Sequence, residues 1–179
     1  QSAPGLKRFI KKESGLTITE DESVDFQEGF FGRYPDFRPS YRRQIAFVRQ
    51  HSYVESPFGH IRRLPSIASD NPAVAAEAER QSVNSPVQAF ESTLAFIALA
   101  ELSKYDPKNL RLVIFTHDSV GLENSLGPGR DKRRKAVKHI MERVVHDRVR
   151  EIFGIELPFI PTVEVSTGPN LADMEEIKL

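Results

Sequence analysis

The sequence has no cysteine, no excess of either charge and no long apolar run. Without cysteine there are no disulfides, thiolate nucleophiles or Cys-based zinc sites, so any metal must rest on carboxylates or imidazoles, and a reducing compartment is compatible. Lys plus Arg (25) balances Asp plus Glu (25), so global basicity does not point to nucleic acid. The longest apolar stretch, around Leu94–Ala100, falls far short of the roughly 20 residues needed to cross a bilayer, and no charged-then-apolar leader precedes it. The expectation is a soluble, intracellular protein with no membrane partner. A Walker loop, G-x-G-x-x-G, H-E-x-x-H and G-x-S-x-G are also missing, which withdraws support from the usual nucleotide-fold and hydrolase readings.

What is present is a chain of 179 residues, 28% charged and 39% hydrophobic. That composition lies outside the disordered range, and the length suffices to bury roughly 70% of the unfolded surface. The chain opens with Gln1-Ser2-Ala3-Pro4-Gly5, has no initiator Met and enters a helical pattern almost at once, as a piece of something longer would. Leu6, Phe9 and Ile10 share one side of a short helix that Gly15 stops. Thr17 and Thr19 each begin an S/T-x-x-E capping box, so a second helix should start there, with Val24, Phe26, Phe30 and Phe31 as its apolar side. Tyr34-Pro35-Asp36 interrupts it. A third helix, from about Phe37 to His51, carries Tyr41, Ile45 and Val48 inward and Arg42, Arg43 and Arg49 outward.

Between Tyr53 and Pro65 two short strands flank a Pro57-Phe58-Gly59 turn. A long helix follows from about Ala73 to Lys104, with Val83, Val87, Phe90, Leu94 and Ile97 as its stripe and a kink expected at Pro86. Arg111 to Phe115 has the length and β-branched content of a buried strand, and Ser119 to Glu123 is its return. After the Gly127-Pro128-Gly129 loop, Val137, Ile140, Met141, Val144, Val149 and Ile152 mark a helix ended by Gly154. A last strand is expected over Thr162 to Val165, before a Gly168-Pro169-Asn170 turn and a polar tail.

Three groups of residues can carry chemistry. Asp118, beside His117, falls at the tip of the hairpin, where a rigidly held carboxylate meets solvent; Asp is equally a favoured turn residue. Magnesium ions in phosphoryl or nucleotidyl transfer sit on one or two carboxylates plus substrate phosphates, so one Asp is half a site and no second candidate stands out here. Arg80, Asn84 and Gln88, spaced i, i+4, i+8, share a helix face. Such donors suit the DNA minor groove, where every base pair presents acceptors, and such a row is also an ordinary solvated face. Arg62 and Arg63 suit phosphates or plain solvent. The run Arg130–Lys138 reads as a solvated helix face, and His139 and His146 as surface residues.

In order, Tyr53-Val54-Glu55-Ser56-Pro57-Phe58-Gly59-His60-Ile61-Arg62-Arg63-Leu64-Pro65, then Ala78-Glu79-Arg80 with Asn84-Ser85-Pro86-Val87-Gln88, then Thr116-His117-Asp118-Ser119 closely resemble the C-terminal part of family A DNA polymerases. Phe30-Phe31-Gly32-Arg33-Tyr34-Pro35 is similar to that family's F-F-x-x-Y-P segment in the fingers, and Glu164-Val165 with Gly168-Pro169-Asn170 to its closing strand and turn. The resemblance implies that Asp118 is the motif C carboxylate that helps hold catalytic Mg2+ in a two-ion site. It implies that His117 stands beside the primer terminus, that Arg80, Asn84 and Gln88 touch primer and template, and that Arg62 touches the DNA backbone. Ser119 replaces the usual second acid, as in single-subunit phage RNA polymerases; Ala89, His60 and Leu171 are further departures.

The implied fold is α+β, with the C-terminal part of the fingers over 1–52 and the C-terminal part of the palm over 53–179. The implied function is template-directed DNA synthesis. Because motif A and the nucleotide-binding helix lie upstream of the matched region in that family, activity should require an N-terminal polymerase fragment or subunit, with primer-template DNA and deoxynucleoside triphosphates. The setting would be the cytoplasm of a bacterial cell, with a bacterial or phage gene. A phage-type RNA polymerase fragment and a non-catalytic DNA-binding accessory derived from a polymerase are the rival readings.

Overall fold

A computed structural model describes residues 3–179; the Gln1-Ser2 opening, on which the expectation of a preceding segment partly rests, lies outside the described residues. Mixed α+β architecture follows from helices joined to small antiparallel sheets. The chain gathers into two compact units. One holds the described residues as far as Val54 together with Arg62–Val83, and the other holds Glu55–Ile61 with Asn84–Leu179. No helix among the described residues is long and apolar enough to cross a membrane.

In the first unit, α1 (Ala3–Ser14) ends at Gly15, whose φ of +73° favours a residue without Cβ. Of the two possible capping boxes, the second forms: Thr19 caps α2 (Glu20–Arg33), its Oγ1 accepting from the Glu22 N–H at 3.1 Å while Glu22 Oε2 accepts from the Thr19 N–H at 2.7 Å. The first turn is acidic, which suits the helix N-terminus. The α2 apolar side is not covered: Val24, Phe26 and Phe30 are exposed, and only Ser23 is buried. In α3 (Phe37–His51), Val48 points inward as its spacing predicts, whereas Tyr41 is exposed. Val48, Val54, Leu64, Ile67 and Ala78 form this unit's small core.

Strands β1 (Tyr53–Glu55) and β2 (Ile61–Arg63) pair, and a single 3-10 turn over Pro65–Ala68 leads to α4 (Pro72–Leu102). The helix is continuous through Pro86. Its buried face differs from the apolar stripe of the sequence: Val87 is exposed, while Ala78, Ser82, Ser85, Thr93 and Ile97 are buried. These residues recur at helical spacing, but four of the five are small or hydroxylic, so hydropathy hides the face. The hydroxyls bond backward along the helix, Ser82 to the Glu79 carbonyl at 2.7 Å and Thr93 to the Ala89 carbonyl at 2.8 Å, so burial strands no donor.

The second unit has two apolar clusters. Phe58, Ile97, Ala98, Val145, Val149 and Leu157 make one, with Phe58 stacked on Phe90 at 5.1 Å. Leu102, Leu110, Val137 and Ile140 make the other, against which Val120 and Leu122 pack. Helices α5 (Arg130–His139) and α6 (Val145–Phe153) are joined by a π turn over Ile140–Val144 and stop at Gly154, φ +67°. The turn explains the interrupted period. Buried positions run Arg133, Val137, Ile140, Val145, Val149, and the five-residue step from 140 to 145 stays on one face because the π turn adds a residue. Ile152 consequently faces solvent, at 53% exposure.

Two expectations here are corrected. Arg133 is 6% exposed rather than solvated. Its Nε donates to Asn124 Oδ1 and its Nη2 to the Ser125 carbonyl, both at 2.6 Å, and Nη1 reaches the Pro128 carbonyl at 3.3 Å. His146 is half-buried, with Nε2 3.3 Å from the Leu157 carbonyl oxygen. The strand expected over Thr162–Val165 does not form as such. Side chains occupy its backbone instead: Lys138 Nζ donates to the Val163 carbonyl at 3.1 Å, and the Val163 N–H donates to Glu142 Oε1 at 3.0 Å. Pairing begins later, where β5 (Ser166–Thr167) meets β6 (Glu175–Glu176), antiparallel. The turn between them depends on Gly168, because a Cβ there would collide with the Asp173 carbonyl.

Candidate active site and nucleic-acid interface

Strands β3 (Leu110–Thr116) and β4 (Ser119–Asn124) pair antiparallel from Leu110↔Asn124 to Thr116↔Ser119, leaving His117 and Asp118 as a two-residue loop. The register shifts between Leu112 and Ile114, so Val113 is a bulge and increases the twist toward the tip. His117 has φ +56°, and Asp118 does not share the positive φ. A two-residue hairpin loop needs at least one such position, usually glycine; histidine tolerates it better than β-branched residues do.

The base of the hairpin is anchored and its tip is free. Leu110 is buried, whereas Val113, Ile114 and Phe115 are 56%, 44% and 36% exposed, so the strand expected to be buried is open along its distal half. Neither β3 nor β4 has a second neighbour among the described residues, and both outer edges are unpaired. The sequence pattern gives the physical reason. A run of β-branched and aromatic residues is suited to a strand covered on both sides, and this hairpin supplies neither cover.

Asp118 is exposed, and the side-chain contact at its carboxylate is a long one from Ser119 Oγ, 3.4 Å. Its oxygens are therefore open to a hard cation. Among the described residues there is no group of three or more His, Asp or Glu that could hold a metal ion. The residues present fit magnesium in the way nucleotidyl-transfer sites use it, with one protein carboxylate here and the remaining oxygens supplied from elsewhere.

Arg80, Asn84 and Gln88 are all exposed on α4, at the spacing that puts them on one helix face. Arg80 is held by Glu77: its Nε donates to Glu77 Oε2 at 3.0 Å and its Nη2 reaches the same oxygen. The hydrogen bond from Arg80, followed by that from Gln81, holds the Glu77 carboxyl below the usual carboxylate range. Arg62, exposed on β2, donates through Nη2 to Gln81 Oε1 at 2.9 Å. His60 is exposed and its Nε2 lies 3.2 Å from Thr93 Oγ1. Sequence reasoning passed over two residues that position the loop, Gly121 and Arg133. A glycine inside a strand was the available signal for the first; a basic residue in a basic run gives none for the second.

The family model for DNA polymerase family A matches residues 7–173. The chain is 31% identical over 179 residues to a DNA polymerase of Bacillus phage SP01, a match covering 98% of this chain and 19% of the relative. It is 30% identical over 159 residues to DNA polymerase I of Deinococcus radiodurans, covering 88% and 16%. With the thermostable DNA polymerase I of Thermus filiformis it shares 33% over 161 residues, covering 89% and 18%. The chain thus spans about a fifth or less of the length of these relatives. Among solved structures, the POL domain of Pol1 from M. smegmatis in complex with DNA primer-template and dNTP superposes with a TM-score of 0.66 at 26% identity, covering 78% of this chain and 24% of that one. With the ordered motifs around Arg62, Asn84 and Asp118 inside the matched region, the chain belongs to DNA polymerase family A.

Proposed function

We propose that this chain supplies the C-terminal part of a template-directed DNA polymerase, in which a primer 3′-hydroxyl attacks the α-phosphate of a deoxynucleoside triphosphate and pyrophosphate leaves. Residues 1–52 would belong to the fingers and 53–179 to the palm. The observation that carries the reading is Asp118, an exposed carboxylate on a two-residue hairpin tip with open oxygens. Asp118 would be one ligand of Mg2+, which when bound supplies neutralisation of charge at the transferring phosphate. His117, its neighbour in the loop, would position the primer terminus. Arg80, Asn84 and Gln88 would donate to minor-groove acceptors that every correct base pair presents, so they would hold duplex without reading its sequence. Arg62 would touch the backbone.

A complete site needs a second carboxylate and a triphosphate-binding surface. An N-terminal polymerase part would provide both and would cover the open β3–β4 edges and the exposed Val113–Phe115 segment. Such a part would also contribute the attraction for DNA that a chain of zero net charge lacks. Bacterial and phage relatives favour a bacterial cytoplasm as the setting.

Magnesium-dependent primer extension tests this, run with the chain alone, with its upstream polymerase part, and with that mixture carrying Asp118→Asn. Extension only in the wild-type mixture is expected, with a loss of at least about 100-fold in the Asn variant. Equal extension by the Asn variant would remove Asp118 from the metal site. A silent wild-type mixture that still binds primer-template would favour a non-catalytic accessory.

A further inference from the structure

Helices α2 and α3 expose a continuous row of aromatic rings. Phe30, Tyr34, Phe37 and Tyr41 are 46%, 48%, 39% and 37% exposed, although rings of this size normally leave water when a core can take them. Successive centroids are close: Phe30 to Tyr34 5.1 Å, Tyr34 to Phe37 5.7 Å, Phe37 to Tyr41 5.7 Å. Interplanar angles of 52°, 65° and 80° keep these pairs tilted or edge-on, and parallel stacking, which would hide both faces of the inner rings, is avoided. Phe31 flanks the row, with the Arg38 guanidinium 4.2 Å above its ring and Glu28 holding that arginine at 2.5 Å.

Charge around the row departs from the neutral average of the chain. Residues 30–50 hold five arginines against one acidic residue, Asp36. Arg33, Arg42 and Arg43 are exposed, and no carboxylate among the described residues engages them. A hydrophobic protein partner would be met by a dehydrated apolar patch; this one is threaded with unpaired guanidinium groups. Exposed π faces interleaved with cations are the combination that binds an unpaired nucleic-acid strand, bases stacking on rings and phosphates meeting arginines.

From this arrangement we infer that the α2–α3 face binds single-stranded DNA, with bases on Phe30, Tyr34, Phe37 and Tyr41 and phosphates at Arg33, Arg42 and Arg43. The site is separate from the proposed duplex contacts Arg80, Asn84 and Gln88 and needs no catalysis, so its failure leaves the polymerase reading untouched. Recognition is independent of sequence, because every base offers a π face.

The test is fluorescence anisotropy of a labelled oligothymidylate titrated with the whole chain at several salt concentrations. Phe37→Leu and Tyr41→Leu keep apolar bulk and remove the ring; each should weaken binding about 5-fold or more with an unchanged salt slope. Arg42→Gln with Arg43→Gln, surface changes that leave the fold intact, should lower the slope of log affinity against log salt by about 0.7 for each phosphate that an arginine no longer neutralises. Crosslinking with a 5-bromouracil oligonucleotide should map to Tyr34 or Tyr41. No binding at low salt overturns the inference, as does binding indifferent to the leucine changes or crosslinks that fall elsewhere.

Discussion

Gly121 faces Ile114 across the β3–β4 pair so closely that a Cβ on the glycine would collide with Ile114 Cγ2. The Cγ2 branch sits directly on the Ile114 Cβ and has no flexible stem through which to withdraw. Gly121 is therefore what allows a β-branched residue just beyond the Val113 bulge, and the pair sets the register that ends in the His117–Asp118 loop. Gly121→Ala should destabilise the chain by about 1–2 kcal/mol, although alanine is ordinarily no worse than glycine in a strand. In an Ile114→Ala background the same change should be nearly neutral. Urea unfolding of the four variants checks this as a double-mutant cycle, and additivity would refute the contact.

Arg133 holds the loop after β4 by donating to Asn124, Ser125 and Pro128, and its charge lies 3.9 Å from Asp106. Arg133→Met keeps much of the bulk and leaves those acceptors without their donor. The expected loss is about 2–4 kcal/mol, seen as a lower urea midpoint with unchanged slope. Faster amide hydrogen exchange should concentrate in 124–130. Exchange that accelerates uniformly instead would show that the arginine supports the whole unit rather than this loop.

His117 separates backbone need from side-chain chemistry. Because its φ is +56°, His117→Gly should raise stability by about 0.5–1 kcal/mol, and His117→Val should lower it by about 1–2 kcal/mol. Thermal unfolding checks both. If the glycine variant is the more stable and yet loses primer extension in the assembled enzyme, the imidazole acts at the primer terminus and the strained turn is retained for it.

Helix ends, the hairpin tip and the minor-groove row were legible because each rests on a local rule: a capping box at Thr19, Gly15 and Gly154 as stops, period-two apolar residues up to Phe115, and four-residue spacing from Arg80 to Gln88. Burial was legible only where the covering surface belongs to the same compact unit. Val48 and Val149 point inward as their periods require, but Val24, Phe26 and Val113 follow the same rule and face solvent, since periodicity names an apolar side without naming what covers it. The buried hydroxyl face of α4 and the π turn after His139 were hidden for different reasons. Ser82 and Thr93 satisfy themselves on their own helix, and a single added residue breaks the 3.6 period without a glycine or proline to announce it.

Glu101 gathers Lys104 at 3.0 Å and Arg148 at 3.1 Å. The hydrogen bond from Lys104 is the leading cause that holds its carboxyl below the usual range, against the opposing effect of burial. The folded state thus binds this proton less readily than the unfolded chain, so the contribution to stability is fully present above the ordinary glutamate value of about 4.3 and disappears as pH falls through the lower folded value. Glu101→Gln should be less stable than the parent at pH 7, and the two should converge on acidification. Unfolding measured from pH 7 to pH 3 checks the sign; a gap that widens at low pH would contradict it.

Glu77 competes with DNA for Arg80. The carboxylate holds the guanidinium along α4, and both side chains are solvent-exposed, so the pair is weak enough for a phosphate or base acceptor to displace it. Glu77→Gln removes one repelling charge and frees the arginine. In the assembled enzyme, primer-template should bind about 2–5-fold tighter, the range that an exposed ion pair of this kind is worth. Arg80→Ala should weaken binding in the parent and should abolish the gain from Glu77→Gln. Binding titrations at fixed salt with the two single variants and the double variant separate the possibilities. A Glu77→Gln gain that survives loss of Arg80 would mean that the carboxylate acts on DNA directly, by repulsion, and not through its hold on the arginine.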